Sequence, residues 1–496
     1  MKILFLNPPF KTEYGRFSRE SRSPAISKSG TLYYPIWLSY AAAIAEKEGH
    51  TITIIDSPAY SYDLAKTLEL IKDFKPRLVV IDTSTPSIYN DAEIADKIKN
   101  LLPGSFITLM GTHPSSLPEE TLGLNKNIDA CFIGEADYTL KDLAGKLKNF
   151  YSHETGTSPT SLKKLLSTIP GLAYRSKEKI FITAKRELIA DLDELPFVSK
   201  IYKKYLDPKK YFFAASDYPE IQIMTSRGCT ARCTFCVYPQ TIHGWKYRMR
   251  SARNIADEFE WITKNMPEIR EIGLEDDTFT GSQARVIEFC KILIEKKIKI
   301  KWYCNARADL KYETMVWMKK ASCALLIVGY ESANKKILDN IKKQTTPEMN
   351  LEFSQNARKA GLLVHGCFMA GNNGDTRESL EENLNLALKM MDDTMQFFPL
   401  IVYPGTIDFE RAKKEGLITF KNYSDYVTID GNHKSVVRMP DATSEEITKW
   451  CDYARRKYYL RPKYLFYKLC QQISHPTELR RTFKSAKRFI KYLIPK

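Results

Sequence analysis

The sequence predicts an α/β protein in three parts. These are an amino-terminal doubly wound domain, a partial (β/α)6 barrel of the TIM type, and a basic helical carboxyl-terminal segment. Three observations carry that expectation. Short apolar runs alternate with helical periodicity twice along the 496 residues, once before residue 150 and again from about residue 216. A loop with the spacing C-x3-C-x2-C follows the first strand of the second series. Positive charge gathers at the end of the chain, where residues 455–496 hold 13 Lys or Arg against one acid, Glu478, out of a net +16 for the whole.

In the first series (residues 1–150) the expected strands are 2–7, 51–56, 78–83, 106–111 and 130–134, each rich in Ile, Val, Leu or Phe. Continuous apolar runs suit strands buried on both faces of a parallel sheet. Helical stretches such as 36–48 and 62–74 separate them. Ligands of such folds bind beyond the carboxyl ends of the strands. Those ends carry Asn7 and Pro8, Ser84 and Thr85, Gly111 and His113, and Gly134 and Glu135. Residues 151–215 read as a connector, Ser/Thr/Lys-rich at its start and turn-rich near Pro196.

The barrel is expected over residues 216–420, with strands at 221–225, 271–274, 301–305, 325–328, 364–368 and 397–402. Ile255, Phe259, Ile262 and Met266 fall on one helical face, as do Leu380, Leu384, Leu388 and Met391. Asp375 to Glu378 reads as a capping box with Asp375 in the cap role. Chemistry on such a scaffold sits at the carboxyl ends of the strands. The final part (421–496) opens a capped helix at Ser444, with acids in its first turn, and Pro462 breaks it.

Bulk properties narrow the class. A hydrophobic content of 43% supports sizeable cores, and ten cysteines in this length are too sparse for a disulfide scaffold. Met1-Lys2-Ile3 runs directly into a strand pattern, with no signal peptide, and no apolar run approaches the ~18 residues of a membrane span. The expectation is a cytoplasmic protein with reduced thiols.

The cysteines Cys229, Cys233 and Cys236 offer three thiolates on one loop and no fourth. A [4Fe–4S] cluster normally takes four cysteines, so three leave one iron open for a small molecule. A zinc knuckle would need a fourth Cys or His at short spacing, and His243 lies seven residues beyond Cys236. The second strand ends in Glu275-Asp276-Asp277, the third in Asn305-Ala306-Arg307 and the fourth in Gly329-Tyr330-Glu331-Ser332. Carboxylates suit an ammonium, which presents only donors, and Arg307 suits a carboxylate. Cys304, Cys323 and Cys367, in or near strands, read as buried structural cysteines.

The loop Thr225-Ser-Arg-Gly-Cys-Thr-Ala-Arg-Cys-Thr-Phe-Cys236 resembles the cluster motif of radical S-adenosylmethionine (SAM) enzymes. With the α/β domain ahead of it, the chain resembles the members of that family that carry a B12-binding domain. The resemblance implies that SAM chelates the fourth iron and is cleaved to a 5′-deoxyadenosyl radical. It also implies that Phe235 lies near the adenine, and that Asp276, Asp277, Arg307, Glu331 and Ser332 contact SAM. The Asp-x-His-x-x-Gly motif that ligates cobalt is missing, which neither requires nor excludes cobalamin. After Gly371 the chain has Asn372-Asn-Gly374-Asp-Thr376 where the family has Pro-Gly-Glu-Thr, and Tyr403-Pro404-Gly405-Thr406 matches the end of the sixth strand.

Further runs, including Thr83-Ser-Thr-Pro86, Tyr247-Arg-Met-Arg-Ser251 and Tyr459-Leu-Arg-Pro462, resemble the hopanoid-biosynthesis-associated radical SAM proteins (HpnJ type). Anaerobic magnesium-protoporphyrin ester cyclases are more distantly similar. That resemblance implies C–C rearrangement or methylation of a lipid-linked sugar, polyol or similar hydrophobic metabolite. It implies an external electron donor of the flavodoxin or ferredoxin type. Two alternatives stand beside it. One is a cobalamin-dependent methyltransferase of a peptide or natural product, and the other a non-catalytic iron–sulfur protein that docks at membranes. In the tail, Phe483, Phe489, Tyr492, Leu493 and Ile494 interleave with Lys484, Lys487, Arg488 and Lys491. A cationic helix bearing aromatics reads as an anchor on anionic lipid in preference to nucleic acid.

Overall fold

The computed structural model describes residues 1–152 and 159–474. The basic tail expected to lie on membranes falls largely outside them.

The first sheet comprises β1 (Lys2–Asn7), β2 (Thr51–Asp56), β3 (Leu78–Asp82), β4 (Phe106–Met110), β5 (Ala130–Phe132), β6 (Leu172–Ser176) and β7 (Lys179–Ile182). Its order is β2-β1-β3-β4-β5-β6-β7, and the first five strands are parallel. β1 takes β2 on one side (Phe5↔Ile54) and β3 on the other (Phe5↔Val80). The chain direction around the sheet reverses there, so the topological switch point lies between the carboxyl ends of β1 and β3. The connector reading of 151–215 needs correction. Its residues 172–182 form an antiparallel hairpin that extends the sheet, with Cys131 opposite Ala173. The hairpin alternates only weakly, which hid it from periodicity.

A two-stranded ribbon and the barrel follow. β8 (Glu220–Ile223) leads through β9 (Ser226–Arg227) into the cysteine loop, which returns through β10 (Arg248–Met249), paired Arg227↔Arg248. The remaining strands are β11 (Glu271–Leu274), β12 (Lys301–Ala306), β13 (Cys323–Glu331), β14 (Leu363–Ala370) and β15 (Thr394–Pro399). With β8 they form a six-stranded all-parallel sheet in chain order. β15 starts three residues earlier than expected. Its ladder pairs His365 with Thr394, and it stops at Pro399, which has no N–H to donate. Tyr403 to Thr406 therefore lies in the turn before the helix Ile407–Lys414, which Thr406 caps. One further cap moves by a residue: Thr376, with Ser379, caps Arg377–Met390. Asp375 instead accepts from the backbone N–H groups of Gly371 and Asn372 and holds the preceding turn.

The helix Ile36–Lys47 joins the two halves. Nine of its twelve residues are buried, including Leu38, Tyr40, Ala41 and Ala42. A helix apolar on all sides belongs inside a core, and this one packs between the first sheet and β8. The Tyr34 hydroxyl donates to the Glu220 carbonyl (2.8 Å) and the Tyr40 hydroxyl to the Met224 carbonyl (3.1 Å). Tyr34 also stacks on Tyr211 with ring centroids 3.9 Å apart. One apolar cluster consequently runs from Ile3 through Tyr40 and Ile221 to Phe397 and Tyr458.

The helix Ser444–Tyr459 carries a capping box, Thr443 with Glu446, and covers the open edge at β15. The Met395 N–H donates to the Tyr459 hydroxyl, which donates to the Met395 carbonyl. A covered edge offers no free ladder to another chain. Among the described residues no helix is long and apolar enough to cross a membrane.

Candidate functional site

The cysteine loop leaves β9 through Gly228, whose φ of +81° is left-handed. A Cβ there would stand 2.2 Å from the Lys246 carbonyl oxygen, so only glycine closes the base of the loop. Beneath that base, Arg227 donates to Asp137 (2.6 and 3.1 Å) and Arg248 to Glu135 (2.6 and 3.0 Å). All four side chains are buried. Two bidentate pairs thus tie the loop to the amino-terminal domain. Removing one partner of such a pair strands a buried charge, at a cost of roughly 3–5 kcal/mol. Glu135, expected among the cobalamin contacts, belongs to this tie.

The two aspartates at the end of β11 also serve the loop. Asp276 is fully buried and accepts from the Thr225 N–H and hydroxyl (2.5 Å each) and from the Ser226 hydroxyl (2.7 Å). Asp277 accepts from the Gly228 N–H (2.8 Å) and stands 2.6 Å from His243 Nδ1, with Arg22 at 3.7 Å. Burial raises the Asp277 carboxyl, but His243 and Arg22 outweigh it and hold it below the ordinary range. Both aspartates therefore brace the loop; the SAM contact expected of them would use the acceptor sites that these bonds leave.

Cys229, Cys233 and Cys236 come close enough to perturb one another's ionisation. Burial raises all three thiols, while Arg307 and Lys343 pull down Cys229 and Cys233, and Arg22 pulls down Cys236. Three thiolates faced by three cations fit a cluster that carries negative charge. Among the described residues no three His, Cys, Asp or Glu side chains form a single-ion metal site. A cluster binds each thiolate on a separate iron and needs its ligands farther apart. The Thr234 hydroxyl donates to Asp408, and Gln240 donates to the Thr234 and Cys236 carbonyls, so the loop has an outer brace. Phe235 is half-buried against the apolar cluster around Tyr238 and Val402.

Glu331 and Lys343 form the second part of the site. Their ion pair is 2.8 Å long, with the side chains 12% and 10% exposed. Glu331 has φ +65°, and Lys342 and Gln344 flank the lysine at +52° and +60°. Three non-glycine residues in the left-handed region around one ion pair are costly, and such strain gathers where geometry serves function. A Cβ on Gly329 would meet Glu331 Oε1 at 2.1 Å, so glycine there lets the carboxylate fold back. Arg307 donates to the Lys343 carbonyl (3.3 Å) and to Asp309. Lys343 had no motif to mark it in the sequence. Ser332 is buried and bonded to Asn383 and Asn334, which places it in a turn. Cys304 and Cys323 lie against each other in the barrel wall, whereas Cys367 is only partly buried and stands near Glu331 and Lys343.

At the switch point of the first sheet, a narrow crevice lies between the strand ends and the segment that follows the cysteine loop. Asp82, Thr83, Ser84, Gly111 and Thr112 line it from the sheet, Glu20 and Arg22 from the segment after β1, and Tyr238, Ile242 and Tyr403 from the barrel. Of the expected cobalamin contacts only Ser84 and Gly111 line it. Asn7 and Pro8 are engaged by Arg19, which also forms a buried pair with Asp91. Thr85 bonds His113, and Gly134 N–H bonds Ser115. The His113 ring is buried, its Nε2 has no partner, and burial pushes its pKa down to about 3.

Glu20 Oε2 and Asp82 Oδ2 are likewise buried without partners. Burial raises both carboxyls, helped at Glu20 by the charge of Asp82 and at Asp82 by those of Asp91 and Asp56, against the pull of Arg19. The small side chains over the strand ends and these orphan polar atoms fit a flat polar macrocycle in position and chemistry. The enclosed volume is only about 20 Å³, far below that of a ligand pocket, so a corrinoid requires residues 19–24 to move outward.

A B12 binding domain model matches residues 22–144, and a Radical SAM superfamily model matches residues 223–387. The chain is 31% identical over 466 residues to an uncharacterized methyltransferase of Pyrococcus horikoshii, covering 94% of each. It is 24% identical over 430 residues to the cytidylyl-2-hydroxyethylphosphonate methyltransferase of Streptomyces wedmorensis, covering 78% of this chain and 79% of the relative. It is 26% identical over 436 residues to the anaerobic magnesium-protoporphyrin IX monomethyl ester cyclase of Cereibacter sphaeroides, covering 86% and 66%.

Two solved structures share the fold. The radical SAM methyltransferase TsrM of Kitasatospora setae, with tryptophan and a SAM analogue bound, gives a TM-score of 0.65 at 17% identity, covering 84% of this chain and 77% of that one. The cobalamin-dependent SAM radical enzyme OxsB, with aqua-cobalamin and SAM bound, gives 0.67 at 16%, covering 98% and 71%.

Proposed function

The chain belongs to the radical SAM superfamily, in the group whose members carry an amino-terminal B12 binding domain, and on that premise we propose that it is a cobalamin-dependent methyltransferase of a small-molecule natural product or a peptide. The cofactors that go with these domains are a [4Fe–4S] cluster, SAM and cobalamin. One observation carries the reading. The crevice at the switch point is walled jointly by the corrinoid-side residues Asp82, Thr83 and Gly111 and by Val237 and Tyr238, which directly follow Cys236 in the chain. A methyl carrier and a radical source would thus meet across one boundary.

When bound, the cluster and SAM supply a hydrogen-abstracting radical, and cobalamin supplies the methyl group. The residues do the rest. Cys229, Cys233 and Cys236 hold the cluster, and Asp276 and Asp277 fix the loop that presents them. Glu331 accepts from the methionyl ammonium, and Arg307 and Lys343 meet the methionyl carboxylate. Thr83, Ser84, Gly111 and Thr112 let the corrinoid approach the strand ends. The buried helix Ile36–Lys47 and the two arginine–carboxylate pairs keep the halves in register.

Rearrangement of a lipid-linked substrate, with the hopanoid-type assignment, is the weaker reading. The relatives named above favour methyl transfer, and the tail that suggested membranes lies mostly outside the described residues. The test is independent of the substrate. Anaerobically reconstituted protein with cobalamin, SAM and dithionite is expected to form methylcobalamin and S-adenosylhomocysteine. It should also form 5′-deoxyadenosine, which Cys236→Ala abolishes. 5′-Deoxyadenosine without methylcobalamin, on protein with bound cobalamin, would overturn methyl transfer. Intact SAM on protein with a full cluster would overturn the enzyme reading.

A further inference from the structure

Reductive cleavage of SAM consumes one electron at the cluster. That electron needs a surface beside the cluster loop at which a reduced carrier could dock. A groove of about 440 Å³ lies beside the cysteine loop, lined by Arg232, Trp245, Asp339, Lys342, Gln344 and Ile407. Arg232 is exposed and immediately precedes Cys233. Its guanidinium sits over the Trp245 ring at 5.1 Å, which pre-orders it.

Ile407, 48% exposed, adds an apolar patch. The left-handed backbone at Lys342 and Gln344 brackets Lys343. Lys343 is buried against Glu331, while Lys342 on its amino side is exposed. Asp339, the one acid of the lining, pairs with Lys335. The rim is therefore cationic around an aromatic and aliphatic floor. That is the anatomy of a protein interface with one sign of charge, and it stands one loop away from the thiolates.

We infer that this groove docks the reduced form of a small acidic electron-carrier protein, which delivers electrons to the cluster through the loop 229–236. In each transfer the carrier is oxidised by one electron and the cluster reduced by one; no covalent bond changes. Complementary charge at such a rim acts mainly on the encounter rate and is weakened by salt. The inference rests on the radical SAM reading of the three cysteines.

Stopped-flow bleaching of the reconstituted cluster, driven by reduced flavodoxin, tests it against dithionite as a small reductant that needs no docking. Lys342→Glu and Arg232→Glu are expected to slow the flavodoxin reaction by about tenfold or more at low salt. Added salt should slow the wild type toward the variants. Iron content and the dithionite rate should stay unchanged. A flavodoxin rate indifferent to Lys342→Glu and to salt would overturn the docking site. If Arg232→Glu lowers the iron content, Lys342→Glu alone decides. Failure of dithionite to elicit SAM cleavage in the wild type would instead sink the radical SAM reading.

Discussion

Glu331 concentrates the residue-scale argument. It holds a left-handed backbone, a closely packed glycine two residues before it and an ion pair with Lys343. Glu331→Gln keeps the shape and removes the charge. A charged hydrogen bond is worth roughly 1.5–3 kcal/mol, so SAM affinity is expected to fall by about 10- to 100-fold in calorimetric titration of the cluster-loaded protein. Iron content should be unchanged; unaltered SAM affinity would remove Glu331 from the SAM site. The sequence marked Glu331 and Arg307 at strand ends. It also marked Asp276 and Asp277, whose chemistry suits an ammonium equally well. What separates the two pairs is competition from the fold. Thr225, Ser226, Gly228 and His243 engage the aspartates, and no local pattern reveals which donors a chain will fold against a carboxylate.

At the scale of elements, periodicity located the buried strands well because continuous apolar runs survive on both faces of a parallel sheet. β1, β2 and β11 begin and end where the sequence places them. Misplacements arise where one residue serves two patterns. Pro399 sits inside an apolar run yet stops β15, and Asp375 resembles a cap but closes the turn before it. The hairpin of β6 and β7 carries exposed and half-buried residues and gives little alternation. The loop between β9 and β10 depends on a single backbone angle. Gly228→Ala forces a Cβ against the Lys246 carbonyl in a left-handed turn. The expected outcome is protein with normal far-ultraviolet circular dichroism and several-fold less bound iron after reconstitution. Full iron loading would show that the loop closes another way.

At the scale of the whole molecule, burial of acids sets a pH signature. Asp56, Asp375 and Asp392 are each pushed up to about 6, chiefly by burial. Between pH 4 and 6 the native protein thus holds protons that the unfolded chain has released, and stability from these groups falls as pH rises. For Asp392→Asn that slope disappears. Relative to wild type, the variant should gain up to ~3 kcal/mol between pH 4 and pH 7 in urea titrations. A constant difference would show that Asp392 ionises normally. Legibility is lowest at this scale. Glu20 and Asp82 face each other across a crevice from positions far apart in sequence, and neither belongs to a motif. Tyr34, Tyr40 and Tyr211 read as ordinary aromatics although they weld the halves together.

That weld constrains how the protein can be inherited in pieces. The helix Ile36–Lys47 has no solvent face wide enough to absorb change, and its Tyr40 and the Tyr34 just before it bond to main-chain carbonyls of the other half. A recombinant that took its first half from one lineage and its barrel from another would have to match shape at Tyr34, Tyr40, Tyr211 and Glu220 to Met224 together. Crossovers that separate residues 34–47 from 202–224, or Glu135 and Asp137 from Arg227 and Arg248, should be purged. A chimera library screened for soluble expression would record those crossovers as a sharp drop in viable junctions.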